Sequence, residues 1–562
     1  MILDPLNEKN FGIVLSVSSK FYSTVEDGNV DELECVSPSS SLPTLSLLPS
    51  GRFYVLINSV QFNTTWLYEV ILPSSSSSPS SSPSSSSLPY HSSSSSKNDI
   101  IIELIPNKAQ QKNNIFLQTS LELTFNYINV RYPDLLKNRI NSHNNEKSNH
   151  KHLLILKLTI KGSNDFYSQT NYLTEQNKKV TYKNLCDVPP FNRLGEISKT
   201  GMGSSAALTT SLITSLLGYF GVFDIEMVEN FPLSTTVEVF DKDDDGREAL
   251  AINKHLKIIH NLTQLAHSIS QGKIGSGFDV SSAVYGSHIY TRFNEEIINK
   301  FINCGKSKEE LVRLVDDIDN TENNVNSIRD AFIWDNTKNT FILPKGFYVI
   351  MADIKGGSDT PSMSRNVMKY LKDNKDDTSV WENLRLANME VLKAFQEISL
   401  IVSEDEIVYD LVTDYISELN SADWINCVEK IESDNKEQVL QIVTSLKKLK
   451  SAFKNMRKCM KLLGDVSSTP IEPNQQTKLA DDTEADVPGI ISCFVPGAGG
   501  YDAICCISLI ENKTKHKIID YWEGYNEKGD EGEVINVCPL LVEYDGGLGV
   551  ELVVERGKKG EG

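Results

Sequence analysis

The sequence has no Cys-x-x-Cys pair, and its nine cysteines, Cys35, Cys186, Cys304, Cys427, Cys459, Cys493, Cys505, Cys506 and Cys538, are an odd number. That spacing argues against a disulfide framework or a zinc site and fits a reducing compartment. No run of about 18 apolar residues occurs, so no segment reads as membrane-spanning. The start lacks an apolar leader core, with Asp4 breaking it early, and a soluble cytosolic protein is expected. Positive charge is in the minority: 55 Lys and Arg against 75 Asp and Glu give a net charge of −20. That charge argues against nucleic acid or anionic membrane as the main partner. An anionic small molecule would need a local basic pocket set against that global field. No internal repeat is visible.

At 562 residues the chain is too long for one simple core, and a prior of about 100–200 residues per domain predicts two to four units. β-Branched or alternating runs predict strands at 12–19, 53–58, 66–71, 152–160, 347–351, 490–495 and 503–510. Helical spacing runs through 249–269, where Ile252, Leu256, Ile259, Leu262, Leu265, Ala266 and Ile269 recur, and through about 381–465. Residues 74–96 are almost pure serine with Pro79, Pro83 and Pro89, and cannot bury a core. Strands on both sides favour a disordered insertion within one domain, with an interdomain linker as the alternative. Residues 136–151 read as a second polar loop, 322–335 as a domain boundary and 465–488 as a polar connection. Asp241-Lys-Asp-Asp-Asp-Gly246 lacks EF-hand spacing and reads as a solvated acidic insertion. The tail after about 540 is expected to fray. Strands with inserted helices predict an α+β protein, with units at 1–325 and 326–515 and an extension at 516–562.

The most informative stretch is Lys199-Thr-Gly-Met-Gly-Ser-Ser-Ala-Ala207, followed at once by Leu208, Leu212, Ile213, Leu216 and Leu217. It reads as a glycine-rich loop opening a helix. Unpaired N–H groups and the positive dipole end of such a helix favour a phosphate. Gly201, Met202, Gly203, Ser204, Ser205 and Ala206 would form the cradle, and the serine hydroxyls can donate to a phosphate or hold Mg²⁺. A tight turn and helix cap without a ligand is the alternative. No Gly-Lys-Ser/Thr closes the loop, so it is not a Walker A motif. The third glycine of a dinucleotide fingerprint is missing. Two more glycine-rich segments are Gln271-Gly-Lys-Ile-Gly-Ser-Gly-Phe-Asp279 and Val495-Pro-Gly-Ala-Gly-Gly-Tyr-Asp-Ala-Ile504. Lys199, Lys273 and Lys355 lie beside glycine-rich stretches and are candidates for a basic pocket, or else are solvated surface lysines.

The first loop resembles the second motif of the GHMP kinases, usually Pro-x-x-x-Gly-Leu-Gly-Ser-Ser-Ala, with Met202 in the Leu place. With the other two glycine segments the resemblance narrows to the phosphomevalonate kinases of the fungal type. Weaker matches follow in the same order: Asn164-Asp-Phe-Tyr-Ser-Gln169, Asp353-Ile-Lys-Gly-Gly-Ser-Asp-Thr-Pro-Ser-Met363 and Ile471-Glu-Pro-Asn-Gln-Gln-Thr477. The resemblance covers roughly residues 1–510 and implies an N-terminal domain with a left-handed β-α-β unit, a ferredoxin-like C-terminal domain, and a site between them. It implies transfer of the γ-phosphoryl of ATP, with Mg²⁺, to the phosphate of 5-phosphomevalonate in the mevalonate route to isoprenoids and sterols. Mevalonate or mevalonate diphosphate as acceptor is the rival within the family, and a non-catalytic relative the rival outside it.

The resemblance implies that Asp279 is the catalytic aspartate, and Lys199 is expected beside it as the foremost candidate to offset the charge of two phosphates. The cradle from Gly201 to Ala206 binds the ATP phosphates, and Ser205 contacts Mg²⁺. Lys273, Ser276, Lys355, Ser358, Thr360, Ser362, Gly497, Gly499 and Gly500 are the expected substrate-binding residues. Because the acceptor is already a phosphate with a second pKa of about 6, Asp279 is expected to position Mg²⁺, the acceptor or a lysine rather than abstract a proton. There are two departures from the family pattern. His267 stands where many members carry a carboxylate metal ligand, and reads as a hydrogen-bonded helix histidine. The family's first motif, Pro-Gly-Lys-x-x-Leu-x-Gly-x-Tyr, is expected just before Leu3-Asp4-Pro5 and is absent. A misassigned start or a shortened, weakened form would explain that absence.

Overall fold

A computed structural model describes residues 2–4, 9–29, 32, 52–73, 100–105, 112–144, 154–193, 198–223, 246–317, 334–354, 360–374, 378–526, 535–544 and 549–550. The serine tract at 74–96, the acidic run at 241–245, Lys355 and Ser358 lie outside the described residues, as does most of the 322–335 boundary.

Along the first half run strands β1 (Ile2–Asp4), β2 (Lys9–Val14), β3 (Phe21–Asp27), β4 (Arg52–Ser59), β5 (Thr64–Ile71) and β6 (Ile101–Ile105). Helices α1 (Ile115–Arg131) and α2 (Pro133–Asn144) follow, then β7 (Ile155–Gly162) and the short helices α3 (Thr170–Glu175) and α4 (Tyr182–Cys186). Next come α5 (Ser204–Tyr219), α6 (Gly246–Gln271), α7 (Phe278–Tyr285), β8 (His288–Thr291), α8 (Glu296–Asn303) and α9 (Lys308–Asp316). The second half holds β9 (Thr337–Thr340), β10 (Phe347–Ile354), α10 (Thr360–Asp373), α11 (Ser379–Glu404), α12 (Glu406–Ile416) and α13 (Lys436–Val466). It continues with α14 (Asn474–Asp486), β11 (Ile490–Phe494), β12 (Ala503–Leu509), α15 (Glu511–Gly524) and β13 (Val537–Pro539).

The strands form three sheets, ordered β3-β7-β4-β5-β6, β1-β2-β8-β9 and β11-β12-β10-β13. Among the described residues only the β4–β7 pairing is parallel. Phe53, Tyr54, Val55, Leu56 and Ile57 are all buried, so β4 is a central strand covered on both faces and reads as a continuous apolar run. At the sheet's end β3 alternates half-buried and exposed residues, the pattern of an edge. Leu121 and Phe125 of α1, Leu212 and Leu216 of α5, and Leu262 and Leu265 of α6 join Phe53, Val55 and Ile57 in one core. Burying each of these side chains contributes roughly 1.5–3 kcal/mol. The helix expected at 249–269 is α6, and its Leu256, Ile259, Leu262, Leu265 and Ala266 face this core.

A second core sits between α11, α12 and α13 and the sheet of β10, β11 and β12, with Phe395, Tyr409, Trp424, Phe453 and Ile507 buried. The other face of that sheet packs on α14 and α15 through Leu479, Ile518 and Trp522. Asp405 divides the long helical stretch: its backbone leaves the helix (φ −154°) and its side chain accepts from the Val408 N–H, capping α12. The mixed architecture is α+β.

Three expectations are corrected. Much of the supposed loop at 136–151 is α2, which extends to Asn144. Pro133 opens it, Leu136 and Ile140 are buried one turn apart, and Arg139 donates to Tyr219 and Asp27. The supposed connection at 465–488 contains α14, whose Leu479, Ala480 and Thr483 are buried. The start of the tail is docked rather than frayed, because Leu540 and Val542 are buried and the Leu540 N–H donates to Met351 O at 2.8 Å.

Candidate active site

The loop before α5 is fixed from behind by polar contacts. Ser168 N–H donates to Ser198 O at 2.8 Å and Thr200 N–H to Phe166 O at 3.3 Å. The Thr200 hydroxyl also donates to the Asp165 carbonyl. The turn carrying Asp165 and Phe166 is itself tied down, since Asn164 Nδ2 donates to Pro189 O at 2.9 Å and its Oδ1 accepts from Asn192 N–H at 2.9 Å. The weak sequence match at 164–169 is thus a splint for the phosphate-type loop. Tyr167 pairs its backbone with Lys199 in a β-bridge and hydrogen-bonds Ser204 through its hydroxyl.

Gly203, in the left-handed region at φ 75°, caps α5, and Ser204 opens the helix. The first intrahelical bond runs from Ala207 N–H to Gly203 O at 3.1 Å, so the amides ahead of it are the free donors of a helix start. A second helix start lies against the first: the Gly203 Cβ position is 3.6 Å from Asp279 Cβ, and Asp279 sits in the first turn of α7. Gly277 caps α7 at φ 77°, and a Cβ there would meet Gln264 Nε2 at 2.7 Å and Phe293 Cε1 at 2.9 Å. No side chain fits, which explains the glycine two residues before the aspartate.

His267, on α6, joins the two helix starts. Its Nε2 lies 3.0 Å from Ser205 Oγ, 3.0 Å from Gln271 Nε2 and 3.8 Å from Asp279 Oδ2. The imidazole is 5% exposed, and burial pushes its pKa below the ordinary value. Asp279 pulls the other way, while the charges of Lys199 and Lys273 push further down. The ring is therefore neutral at physiological pH. His267 thus touches Ser205 and stands beside Asp279, and the charges of Lys199 and Lys273 reach it from farther off. Lys199, Lys273 and Asp279 are exposed and free to meet a ligand, while Ser205 and Ser276 are half-buried.

A cleft of about 1220 Å³ reaches this group at Asp279, while Lys199, Lys273, Ser205 and His267 do not line it. Gly201, Met202, Gly203 and Asp279 line it from the first half, and Val495, Pro496 and Gly497 from the second, so all three glycine-rich segments reach it. The rest of the lining is largely apolar, including Phe21, Met351, Phe395, Phe453 and Met456. Gly497 is exposed at the mouth. Gly499 and Gly500 instead direct their N–H groups to Pro496 O and Ile471 O, shaping the loop rather than offering donors. Thr360 begins α10, and Ser362 on the same helix is half-buried.

The sequence pattern did not single out Tyr167, Gln264, Gln271 or Lys20. The last lines the cleft. The i, i+4 spacing of His267 and Gln271 on one face of α6 was the available signal for that pair. For a divalent cation, Ser205 Oγ and the Asp279 carboxylate are the oxygen donors at hand. Among the described residues no group of three or more His, Cys, Asp or Glu side chains stands together. Such a sparse set fits Mg²⁺, which keeps several waters and takes one or two carboxylates plus substrate phosphates.

A protein named phosphomevalonate kinase, peroxisomal, from Arabidopsis thaliana is 33% identical over 398 residues, spanning 68% of this chain and 71% of its own length. One named phosphomevalonate kinase from Candida albicans is 31% identical over 325 residues, or 57% of this chain and 58% of its own. The solved Streptococcus pneumoniae phosphomevalonate kinase, in complex with phosphomevalonate and AMPPNP, aligns with 91% of this chain and 95% of its own at 12% identity and a TM-score of 0.41. No protein-family model matches the chain.

Proposed function

The chain belongs to the phosphomevalonate kinases, and from that premise we propose how its residues divide the work of moving the γ-phosphoryl group of ATP onto phosphomevalonate. An acceptor phosphate oxygen attacks Pγ, the bond from Pγ to the β,γ-bridging oxygen breaks, and ADP leaves. The acceptor carries little proton to remove, since a phosphate monoester has a second pKa of about 6. Catalysis then rests on positioning and on offsetting charge.

The amides of α5 and the hydroxyl of Ser204 hold the ATP phosphates. Lys199 and Lys273 offset the repulsion between two approaching phosphates. Asp279 orients a lysine, the acceptor or Mg²⁺, and Ser205 is the second oxygen for the metal, which screens phosphate charge when bound. Ser276, Lys355, Ser358, Thr360, Ser362 and the 497–500 loop hold the phosphomevalonate side. The single observation behind this assignment is the meeting of two helix starts at His267, which stands against Ser205 on one side and Asp279 on the other.

Two domains, residues 1–325 and 326–515, with an extension at 516–562, belong to the same proposal. Most of the first core precedes residue 316 and most of the second follows residue 340, which supports the division, with Trp334 and Ile289 crossing it; Ile518 and Trp522 pack the start of the extension on the other face of the second half's sheet. Among the described residues no helix is long and apolar enough to cross a membrane. We extend the proposal to a cytosolic location, supported by free thiols from Cys186 to Cys538, while the Arabidopsis name points to another compartment.

The test is a pair of variants, Lys199→Met and Ser205→Ala, assayed over a range of Mg²⁺. Lys199→Met should lower kcat at every Mg²⁺ concentration, and Ser205→Ala should raise the Mg²⁺ needed for half-maximal rate. Wild-type kinetics in both variants would overturn the assignment.

A further inference from the structure

We propose that residues 467–477 form a strap that positions the 496–501 glycine loop for the transfer reaction, with Arg457, Glu472 and Gln476 as positioning residues. This rests on the reading that the loop holds phosphomevalonate at the cleft.

The loop lies directly on the strap. Gly500 N–H donates to Ile471 O at 3.0 Å. The fully buried Gln476 donates from Nε2 to Tyr501 O at 3.0 Å. Between them, Gly499 is at φ 85°, and a Cβ there would meet Ile471 Cα and Cγ2 at 2.8 Å. The loop backbone therefore rests on Ile471 with no room for a side chain. Its Val495, Pro496 and Gly497 line the cleft from the other side.

The strap is held by charge from α13. Arg457 Nε and Nη2 both donate to Glu472 Oε1, at 3.0 and 2.8 Å, and its Nη1 donates to Asp481 Oδ1 at 2.7 Å. The side chains of Arg457 and Glu472 are 7% and 4% exposed. One helical turn on, Lys461 Nζ donates to Asn474 Oδ1 at 2.8 Å and Thr477 Oγ1 at 3.3 Å. A buried ion pair of this kind adds little net stability over an apolar pair of the same size, although breaking it from one side is costly. What it does enforce is one geometry, because the guanidinium fork accepts few arrangements. The same stretch of α13 lines the cleft through Phe453, Met456 and Met460. One helix thus forms cleft wall and anchor together, and the strap carries that frame to the loop.

A strap that served packing alone would tolerate an isosteric apolar exchange; a positioning strap would not. The variants are Gln476→Met and the double exchange Arg457→Met with Glu472→Leu, each in the full chain. The readouts are thermal midpoint, amide hydrogen exchange, and separate KM values for ATP and phosphomevalonate. We expect both variants to fold and exchange at 496–501 to quicken about tenfold. The KM for phosphomevalonate should rise about tenfold with that for ATP within about twofold, a shift of roughly 1.4 kcal/mol. Unchanged exchange at 496–501 in a folded variant overturns the strap, as does an equal change in both KM values. If exchange quickens but the unsubstituted chain does not turn over phosphomevalonate, the strap stands and the substrate reading of the loop fails.

Discussion

His267 Nε2 stands 3.0 Å from Ser205 Oγ and 3.8 Å from Asp279 Oδ2, so a single neutral imidazole joins the phosphate-type loop to the acidic helix start. A carboxylate at this place would set a second negative charge beside Asp279, where two phosphates must gather. His267→Glu is expected to raise KM for phosphomevalonate by about tenfold or more, from like-charge repulsion of order 1–3 kcal/mol in a partly screened site. His267→Gln, neutral and able to hydrogen-bond, should stay within about threefold on the same scale. Steady-state kinetics of the two variants separates charge from simple packing.

Asp279→Asn keeps the shape of the α7 start and removes its charge. Loss of one preorganised electrostatic group should lower kcat by roughly 10²–10³. KM for ATP should move little, because the α5 amides are untouched. Undiminished turnover in this variant removes Asp279 from the mechanism.

Gly277→Ala tests the close packing that aims Asp279. A left-handed alanine costs about 1–2 kcal/mol, and the contact with Gln264 and Phe293 adds a further ~1–3 kcal/mol of overpacking. Urea unfolding should show the sum, with activity falling more steeply than stability at temperatures where the variant is still folded. An unchanged midpoint would mean that α6 and α7 are not packed as described.

Acid should weaken the fold through two buried histidines. Burial pushes His260 down to about 3 and His288 down to about 4. Their contribution is complete above the unfolded value near 6.5 and declines as pH falls toward the folded values, by about 1.4 kcal/mol per pH unit for each. Asp353 works in the opposite sense, because burial and Asp502 raise it to about 6, so it favours the fold as pH falls from about 6 to its ordinary value of 3.8. The clean readout is a difference. Between pH 6.5 and 4.5 the stability of His288→Gln should fall less steeply than that of the unsubstituted chain by about one proton's worth of slope. Parallel slopes would contradict the buried, neutral state of His288.

The features legible in the sequence were those with a local signature. The Gly203-Ser204-Ser205 start followed by apolar residues reads as a capped helix, and α5 begins there. The continuous run at 53–57 reads as a buried strand because both faces of β4 are covered. By contrast α2 has only Leu136 and Ile140 buried among Asn, Ser and Lys, and its hold comes from Arg139 reaching Asp27 far back in the chain. No window of sequence contains that contact. The same holds for the 164–169 splint and for Arg457 with Glu472, where polar side chains act over long separations without periodicity. Asp279 is a candidate from its glycine context alone, whereas the contacts of His267 needed the meeting of α5, α6 and α7 in space.

The most direct test of the central claim is ADP release by this chain with Mg-ATP, offered in turn (R)-5-phosphomevalonate, mevalonate and mevalonate diphosphate. The account predicts turnover with phosphomevalonate and background rates with the other two. Turnover with mevalonate or mevalonate diphosphate in preference to phosphomevalonate, or none with any acceptor, would contradict it.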